Sequence, residues 1–147
     1  MIEALSTPRN RVTTVVFLAI AAVLAAAAAI VGISDNPPGI LLAYSAAAAL
    51  VLAFVHPWRT SRRFRYFFYM SFVGFALLVV VHNVFEVVAS RMGGPGFVVA
   101  VLQGIQVAAF LIAILICPPA IVIGAVGAVV MWIRNRRGAT RDPGTVA

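Results

Sequence analysis

Long apolar runs alternate with short polar segments along this chain, and the alternation is the strongest signal in the sequence. Four runs, over 12–33, 40–56, 66–90 and 97–133, predict transmembrane helices. About 20 apolar residues in a helix cross the roughly 30 Å of hydrocarbon in a bilayer, and each run meets or approaches that length. We therefore predict an all-α integral membrane protein that folds as a four-helix transmembrane bundle.

Proline and glycine mark the connections between the runs. The segment 34–39, SDNPPG, combines Asp35 or Asn36 as a helix cap with prolines suited to the first turn of the next helix. The segment 92–96, MGGPG, is too rich in glycine for a helix and predicts a sharp turn. We expect one transmembrane domain over 1–137 and a disordered tail over 138–147.

The fourth run can cross the membrane once or twice. Its 37 residues without formal charge would measure about 55 Å as one straight helix, and Pro118 and Pro119 interrupt it. Arginine placement distinguishes the two possibilities, because positively charged loops tend to remain in the cytoplasm. Four crossings place ten arginines on one side: Arg9, Arg11, Arg59, Arg62, Arg63, Arg65, Arg134, Arg136, Arg137 and Arg141.

Five crossings would move the last four of these arginines to the opposite side, against the positive-inside tendency. We therefore predict four crossings with both termini cytoplasmic, and Arg91 is then the only arginine outside. The fourth helix is predicted to be long and kinked or broken at Pro118–Pro119. Such an arrangement predicts an integral protein of a prokaryotic plasma membrane.

Small residues indicate where helices approach closely. In the first run, the pairs Ala22–Ala26 and Ala25–Ala29 have the small-xxx-small spacing that favours close helix packing. Ala120, Gly124, Gly127 and Ala128 form a similar small-residue surface in the fourth run, for packing within the chain or against another subunit. No heptad pattern is evident. We expect these surfaces to contact other helices.

Composition and charge limit the classes of molecule that this protein is expected to contact. Of 147 residues, 63% are hydrophobic and 10% are charged, far from the quarter that is usual in soluble domains. The net charge is +7, and in a soluble protein this would suggest nucleic acid. Because the arginines flank apolar runs, we predict no nucleic-acid partner and instead contact with membrane lipids. Orientation and anionic headgroup contact are assigned to Arg59, Arg62, Arg63, Arg65, Arg134, Arg136 and Arg137.

The third run contains a polar cluster, VVVHNVFEVVAS at 79–90. Its His82 and Glu86 are four residues apart and share a helix face, with Asn83 beside them. Counting residues from the outer ends of the runs places Asp35 just above the first run. The same count brings side chains of the second and fourth runs to a depth similar to that of the cluster: Tyr44, Ser45, Gln103 and Gln106. We predict that these residues form a polar layer in the outer half of the bundle.

Three interpretations of this layer remain open. It can supply hydrogen bonds that hold helices three and four together, it can bind or transport a ligand or proton, or it can support metal or catalytic chemistry. His82 and Glu86 provide two metal ligands where catalytic zinc needs three, so no metal and no cofactor is predicted. The other histidine, His56, lies at the opposite end and is expected to cap its helix.

Function is therefore predicted only by class. The leading hypothesis is an accessory or structural subunit that packs against other membrane proteins or itself as a homo-oligomer. The alternative is a small carrier, channel or ligand-binding protein that uses the polar layer, and a third is a metal-dependent membrane enzyme. No nucleophile elbow, phosphate loop or zinc signature is present in the sequence, which favours a protein that is not an enzyme.

Overall fold

The computed structural model describes residues 7–34, 36–92, 94 and 96–139, and the regular secondary structure of this part of the chain is all helical. The helices are α1 (Pro8–Val31), α2 (Pro37–Val55), α3 (Ser61–Met92), α4 (Phe97–Leu111) and α5 (Cys117–Ala139), with a π-helical turn at Ile112–Ile116 between the last two. Four helical segments are long and apolar enough to cross a membrane, with Phe97–Arg137 as one of them. The prediction of four such helices is confirmed, and they indicate a membrane protein.

Local sequence explains where α1 ends and α2 begins. Gly32 ends α1 with a φ of 85°, a conformation that glycine adopts without a Cβ penalty. Asn36 takes the N-cap position of α2 ahead of Pro37, as predicted, but its side chain makes no bond there. Its amide Nδ2 instead donates to the carbonyl oxygen of Val31 at 2.9 Å and so caps α1. Asp35, the other predicted cap, lies outside the described residues.

Helix α3 begins five residues before the apolar run that predicts it. The run starts at Tyr66, whereas the helix begins at Ser61 and includes Arg62, Arg63 and Arg65. Arginine is a good helix former, so the basic segment continues the helix instead of forming a loop. These arginines consequently occupy the first two turns of α3.

The fourth run is one continuous helical segment and is not broken at Pro118 and Pro119. Proline rings collide with the carbonyl group four residues earlier, here those of Ile114 and Leu115. Both lie in the π-turn, where the N–H of Cys117 donates to the carbonyl oxygen of Ile112, five residues back. The wider turn accommodates the prolines, and α5 extends to Ala139, past the predicted start of the tail. The remaining predicted tail residues, 140–147, lie outside the described part.

The helices pack as two groups. Helix α1 packs on α2, while α3 packs on both α4 and α5. Helix α2 joins the groups through α5 and the π-turn. Within the described residues, the α1 backbone comes close to no helix except α2, and the α2 backbone comes close to neither α3 nor α4. The fold is thus a hairpin of α1 and α2 that packs, through α2, against the unit formed by α3, α4 and α5.

The packed face of α1 differs from the one predicted. Thr14, Ala21 and Ala28 are buried, seven residues apart each time, and half-buried Phe17 and Leu24 lie between them. This is the heptad spacing of helices that pack at shallow angles. The predicted alanine faces are exposed instead: Ala22, Ala25, Ala26 and Ala29.

Helix α3 has a heptad spacing of buried residues as well, although its sequence shows no heptad pattern of hydrophobicity. The residues of its inner face alternate in steps of four and three and are all buried or half-buried: Phe64, Phe68, Ser71, Phe75, Leu78, His82, Phe85 and Ala89. The opposite face is apolar and exposed, from Tyr66 through Met70 to Val87. Because both faces are apolar, periodicity in hydrophobicity alone does not reveal the packed one.

Glycines of α5 determine how closely α3 approaches. A Cβ at Gly124 would lie 2.9 Å from the Cα of Phe68, and a Cβ at Gly127 would overlap the ring of Phe64. The predicted small-residue surface around these glycines therefore packs within the chain. Phe64 also joins a buried cluster with Val51 and Val55 of α2, which ties the two helix groups together.

These contacts bring nearly all described arginines to one end of the bundle. Thr14 lies against Ala53, so the start of α1 adjoins the end of α2. Ser61 lies against Ala128, so the start of α3 adjoins the late part of α5. The basic end, as we call it, therefore contains Arg9, Arg11, Arg59, Arg62, Arg63, Arg65, Arg134, Arg136 and Arg137. Arg91, in the last turn of α3, lies at the opposite end.

Candidate functional site

His82 connects α3 to α4 from the inner face of α3. Its Nδ1 lies 3.2 Å from the backbone carbonyl oxygen of Gln106, and its ring centroid is 5.0 Å from that of Phe110. A carbonyl oxygen only accepts, so Nδ1 carries the proton in this bond. The side chain is 23% exposed. The histidine thus donates an interhelical hydrogen bond to a backbone carbonyl group.

Glu86 lies beside the other nitrogen of this ring. Its Oε2 is 3.7 Å from Nε2 of His82, which is longer than a hydrogen bond. With the proton on Nδ1, the neutral ring presents a lone pair at Nε2 and would repel a carboxylate. The two side chains therefore attract each other when one more proton lies between them. That proton is either on Nε2, giving imidazolium with carboxylate, or on the carboxyl group, giving imidazole with carboxylic acid. Because the Glu86 side chain is 56% exposed, the pair lies at the edge of the helix interface.

The remaining predicted residues of the outer layer on α3 and α4 face elsewhere. The Asn83 amide donates to the carbonyl oxygen of Val79 at 2.7 Å, within its own helix. Gln103 is exposed, and the interhelical contact of Gln106 uses its backbone carbonyl rather than its side chain. Asn83 and Gln103 thus take no part in the contact between α3 and α4.

Tyr44 and Ser45 lie on α2, and within the described residues the backbone of α2 comes close to neither α3 nor α4. Tyr44 is half-buried and Ser45 is exposed. The structure therefore does not bring them to His82 through a helix contact. Of the predicted layer, it brings together His82, Glu86 and the backbone of Gln106.

Metal binding receives no geometric support from the described residues. No three of their histidine, cysteine, aspartate and glutamate side chains are grouped so that they could hold an ion. Three open clefts are present, and none of these three is lined by His82, Glu86 or Gln103.

Two further interhelical hydrogen bonds resemble that of His82, and sequence reasoning did not identify them. The buried Thr14 hydroxyl donates to the carbonyl oxygen of Ala53 at 3.1 Å, joining α1 to α2. The Ser61 hydroxyl donates to the carbonyl oxygen of Ala128 at 3.1 Å, joining α3 to α5. Hydroxyl side chains at or just before the start of an apolar run, such as Thr13 and Thr14 or Thr60 and Ser61, are the signal that could have pointed to both.

His56 occupies the C-cap position of α2, as expected from sequence. Its Nδ1 lies 3.1 Å from the Ala53 carbonyl oxygen, the same atom that accepts from Thr14. Its Nε2 is buried and has no hydrogen-bond partner among the described residues, and its ring centroid is 6.1 Å from that of Phe17. His56 therefore adds to the α1–α2 contact at the basic end.

An apolar groove separates the two helix groups on one side. It has a volume of about 440 Å³ and lies between α1, α2 and the π-turn, because α1 does not reach α4 or α5. Leu18, Ala22 and Ala25 line it from α1, and Leu115 and Ile116 line it from the π-turn. The exposed alanines of α1 thus continue directly into this groove.

The sequence matches no protein-family model, and neither a curated protein nor a solved structure matches it significantly. The function is therefore argued from the geometry alone.

Proposed function

We propose that this protein is a small accessory or structural membrane subunit that packs laterally against a transmembrane helix of another protein or of a second copy. The observation that carries the proposal is the outward orientation of the α1 alanine face. Ala22, Ala25, Ala26 and Ala29 are exposed although their spacing suits close helix packing.

The groove beside this face supports the same role. It has a volume of about 440 Å³, and alanine, leucine and isoleucine side chains line it. In lipid, association of helices depends on van der Waals packing and backbone proximity, which small residues permit. A further helix lying along Ala22 and Ala26 would fill a space that the four helices of this chain leave open.

The polar side chains favour packing over transport. His82, Thr14 and Ser61 each contact a backbone carbonyl of a neighbouring helix. The carrier or channel alternative would require a cavity at His82 and Glu86, and neither residue lines any of the three clefts described above. The side chains of His82, Thr14 and Ser61 are thus accounted for by helix contacts.

The distribution of arginines between the two ends of the bundle supports a proposed orientation in the membrane. Nine arginines gather at the basic end, whereas only Arg91 lies at the other end of the described part. By the positive-inside tendency we place the basic end, and with it both termini, in the cytoplasm of a prokaryotic plasma membrane.

The test compares two pairs of exposed positions on α1. Ala22→Leu with Ala26→Leu fills the alanine face, whereas Val16→Leu with Val23→Leu enlarges exposed side chains on a different face. Each protein is purified in mild detergent, and the mass of its complex and any co-purifying membrane polypeptide are determined. We expect the alanine pair to abolish the assembly and the valine pair to preserve it.

Two results would contradict the proposal. One is a wild-type protein that purifies as a lone monomer after extraction under the mildest conditions. The other is an assembly that survives the alanine pair unchanged. Thermal unfolding of both variants serves as the control, since neither pair is buried within the chain and neither should lower its stability.

A further inference from the structure

The basic end contains two clefts that share a pair of arginines. One, of about 560 Å³, lies between the start of α3 and the end of α5 and is lined by Ser61, Arg62, Arg65, Val129, Trp132 and Asn135 among others. The second, of about 260 Å³, lies along α3 and is lined by Arg62, Arg65, Tyr66 and Tyr69. Arg62 and Arg65 thus lie between two open spaces at the basic end.

The electrostatic field at these clefts is strongly positive. Both arginines lie in the first two turns of α3, near the N-terminus of the helix macrodipole, where a cation is unfavourable and an anion is favourable. No acidic residue is present in the first turn. Glu86, the one carboxylate side chain of the described part, is about 36 Å from Arg62 along the helix. An anion bound from outside would compensate this charge.

The walls of the larger cleft combine polar and apolar groups, as binding of a phospholipid requires. Arg62, Arg65 and Asn135 supply hydrogen-bond donors, while Ala128 and Val129 supply an apolar wall. Trp132 lines the same cleft, and Tyr66 and Tyr69 line its neighbour, as aromatic residues do at the level of lipid headgroups. Phosphate is well matched by the planar donors of arginine.

We propose that the larger cleft binds one anionic phospholipid, with its phosphodiester group held by Arg62 and Arg65 and its glycerol and upper acyl chain against Val129 and Trp132. Arg62 also donates to the Tyr66 hydroxyl at 3.3 Å, a contact that holds this side chain near the clefts. This site is independent of the α1 alanine face, because it lies between α3 and α5.

The binding experiment titrates the full-length protein in neutral detergent with phosphatidylglycerol and measures the bound lipid by native mass spectrometry. At a salt concentration of about 0.15 M, charges more than roughly 8 Å away contribute little. Each arginine near a headgroup contributes about a factor of five, so Arg62→Gln with Arg65→Gln should raise the Kd about 30-fold. The double substitution to lysine should preserve part of the affinity, since it retains the charge and loses the planar donors.

The matched control removes the same charge outside the clefts. Arg59→Gln with Arg134→Gln affects two exposed arginines of the basic end that line neither cleft. We expect the Kd of this variant to change less than about threefold, because neither side chain lines a cleft and exposed charges are partly screened by salt. Equal weakening in both double variants would overturn the site in favour of diffuse attraction to the whole basic end.

Two other ligands test whether the bound anion is a phospholipid headgroup or a soluble phosphate compound. Phosphatidylcholine has the same phosphodiester but no net charge, and binding as tight as that of phosphatidylglycerol would contradict the proposal. Glycerol 3-phosphate has the anion without acyl chains, and equal affinity for it would assign the cleft to a soluble phosphate compound instead. The expected result is tight binding of phosphatidylglycerol alone.

Discussion

The α1–α2 and α3–α5 interfaces bring apolar helices together in two different ways. In α1–α2, small residues face each other, with Ala21 and Ala28 against a face of α2 that includes Gly39 and Ala53. In α3–α5, phenylalanine meets glycine, with Phe64 against Gly127 and Phe68 against Gly124. Each interface also contains one hydroxyl group that donates to a carbonyl oxygen of the other helix.

This difference predicts how each interface responds to added volume. A shallow alanine surface makes many similar contacts, so its stability is distributed over the length of the helices. A phenyl ring against a glycine concentrates the contact at one position, where a single side chain can separate the helices. The α3–α5 interface should therefore be the more sensitive one, and the following substitutions test that order.

Gly127→Leu should have the largest effect. A Cβ at this position already overlaps the Phe64 ring, which is buried among Val51, Val55 and Ala120 and has little room to move. We expect a loss of about 3 kcal/mol in the free energy of unfolding, at the upper end of the range for overpacked cores. Thermal unfolding in detergent measures it. Gly104→Leu is the control, because nothing lies within 4 Å of a Cβ there, and equal loss in both would refute the mechanism.

Gly39→Ala should be next, and it tests a close backbone approach at the turn of the α1–α2 hairpin. A Cβ at Gly39 would overlap the carbonyl oxygen of Gly32, and Gly32 ends α1 with a positive φ. We expect a loss of about 2 kcal/mol, since the turn must shift as a unit. Gly74→Ala has open space and should be neutral or slightly stabilising, because alanine favours helix more than glycine does. A tolerated Gly39→Ala would show that the hairpin turn is adaptable.

Thr14→Val should cost less, because it preserves the shape of the side chain and removes the hydroxyl group that donates to the Ala53 carbonyl oxygen. Interhelical hydrogen bonds in membranes average about 0.6 kcal/mol and reach about 1.7, so we expect about 1 kcal/mol for this buried bond. Thr13→Val is a matched control, since the Thr13 hydroxyl donates to the carbonyl oxygen of Arg9 within α1. Chemical unfolding of both variants gives the difference. If both substitutions lower the stability equally, loss of the interhelical hydrogen bond is not the cause.

Sequence reasoning predicted the helix number well and the helix faces poorly, for one physical reason. Length and apolarity predict a membrane-crossing helix in any orientation, so the four helices follow from runs of suitable length. The packed face must be inferred from differences in polarity around the helix, and α1 has alanine at every position from Ala25 to Ala29. Among the described residues Thr14 is the one polar residue that is buried, and it marks the packed face of α1.

The polar layer was predicted from depth alone, and depth does not determine which helices are neighbours. His82, Glu86 and Gln106 meet because α3 and α4 are consecutive and antiparallel, joined by the short segment 93–96. Tyr44 was placed at the same depth by residue counting. Its helix, however, packs on α5 and the π-turn, and nothing in the sequence of α2 specifies this choice.

Substitutions at His82 and Glu86 extend the comparison to the α3–α4 interface, and Glu86→Gln should have the smallest effect of all. His82→Leu removes the bond to Gln106 and should cost about 1 kcal/mol, as for Thr14, because Leu still fills the space beside Phe110. Glu86→Gln should cost only a few tenths, since the side chain is 56% exposed and its contact with Nε2 is 3.7 Å. Unfolding in detergent should rank them in this order. A Glu86→Gln variant that remains stable yet alters a proton or ion flux would instead favour the carrier alternative, because helix packing alone gives the carboxylate no such role.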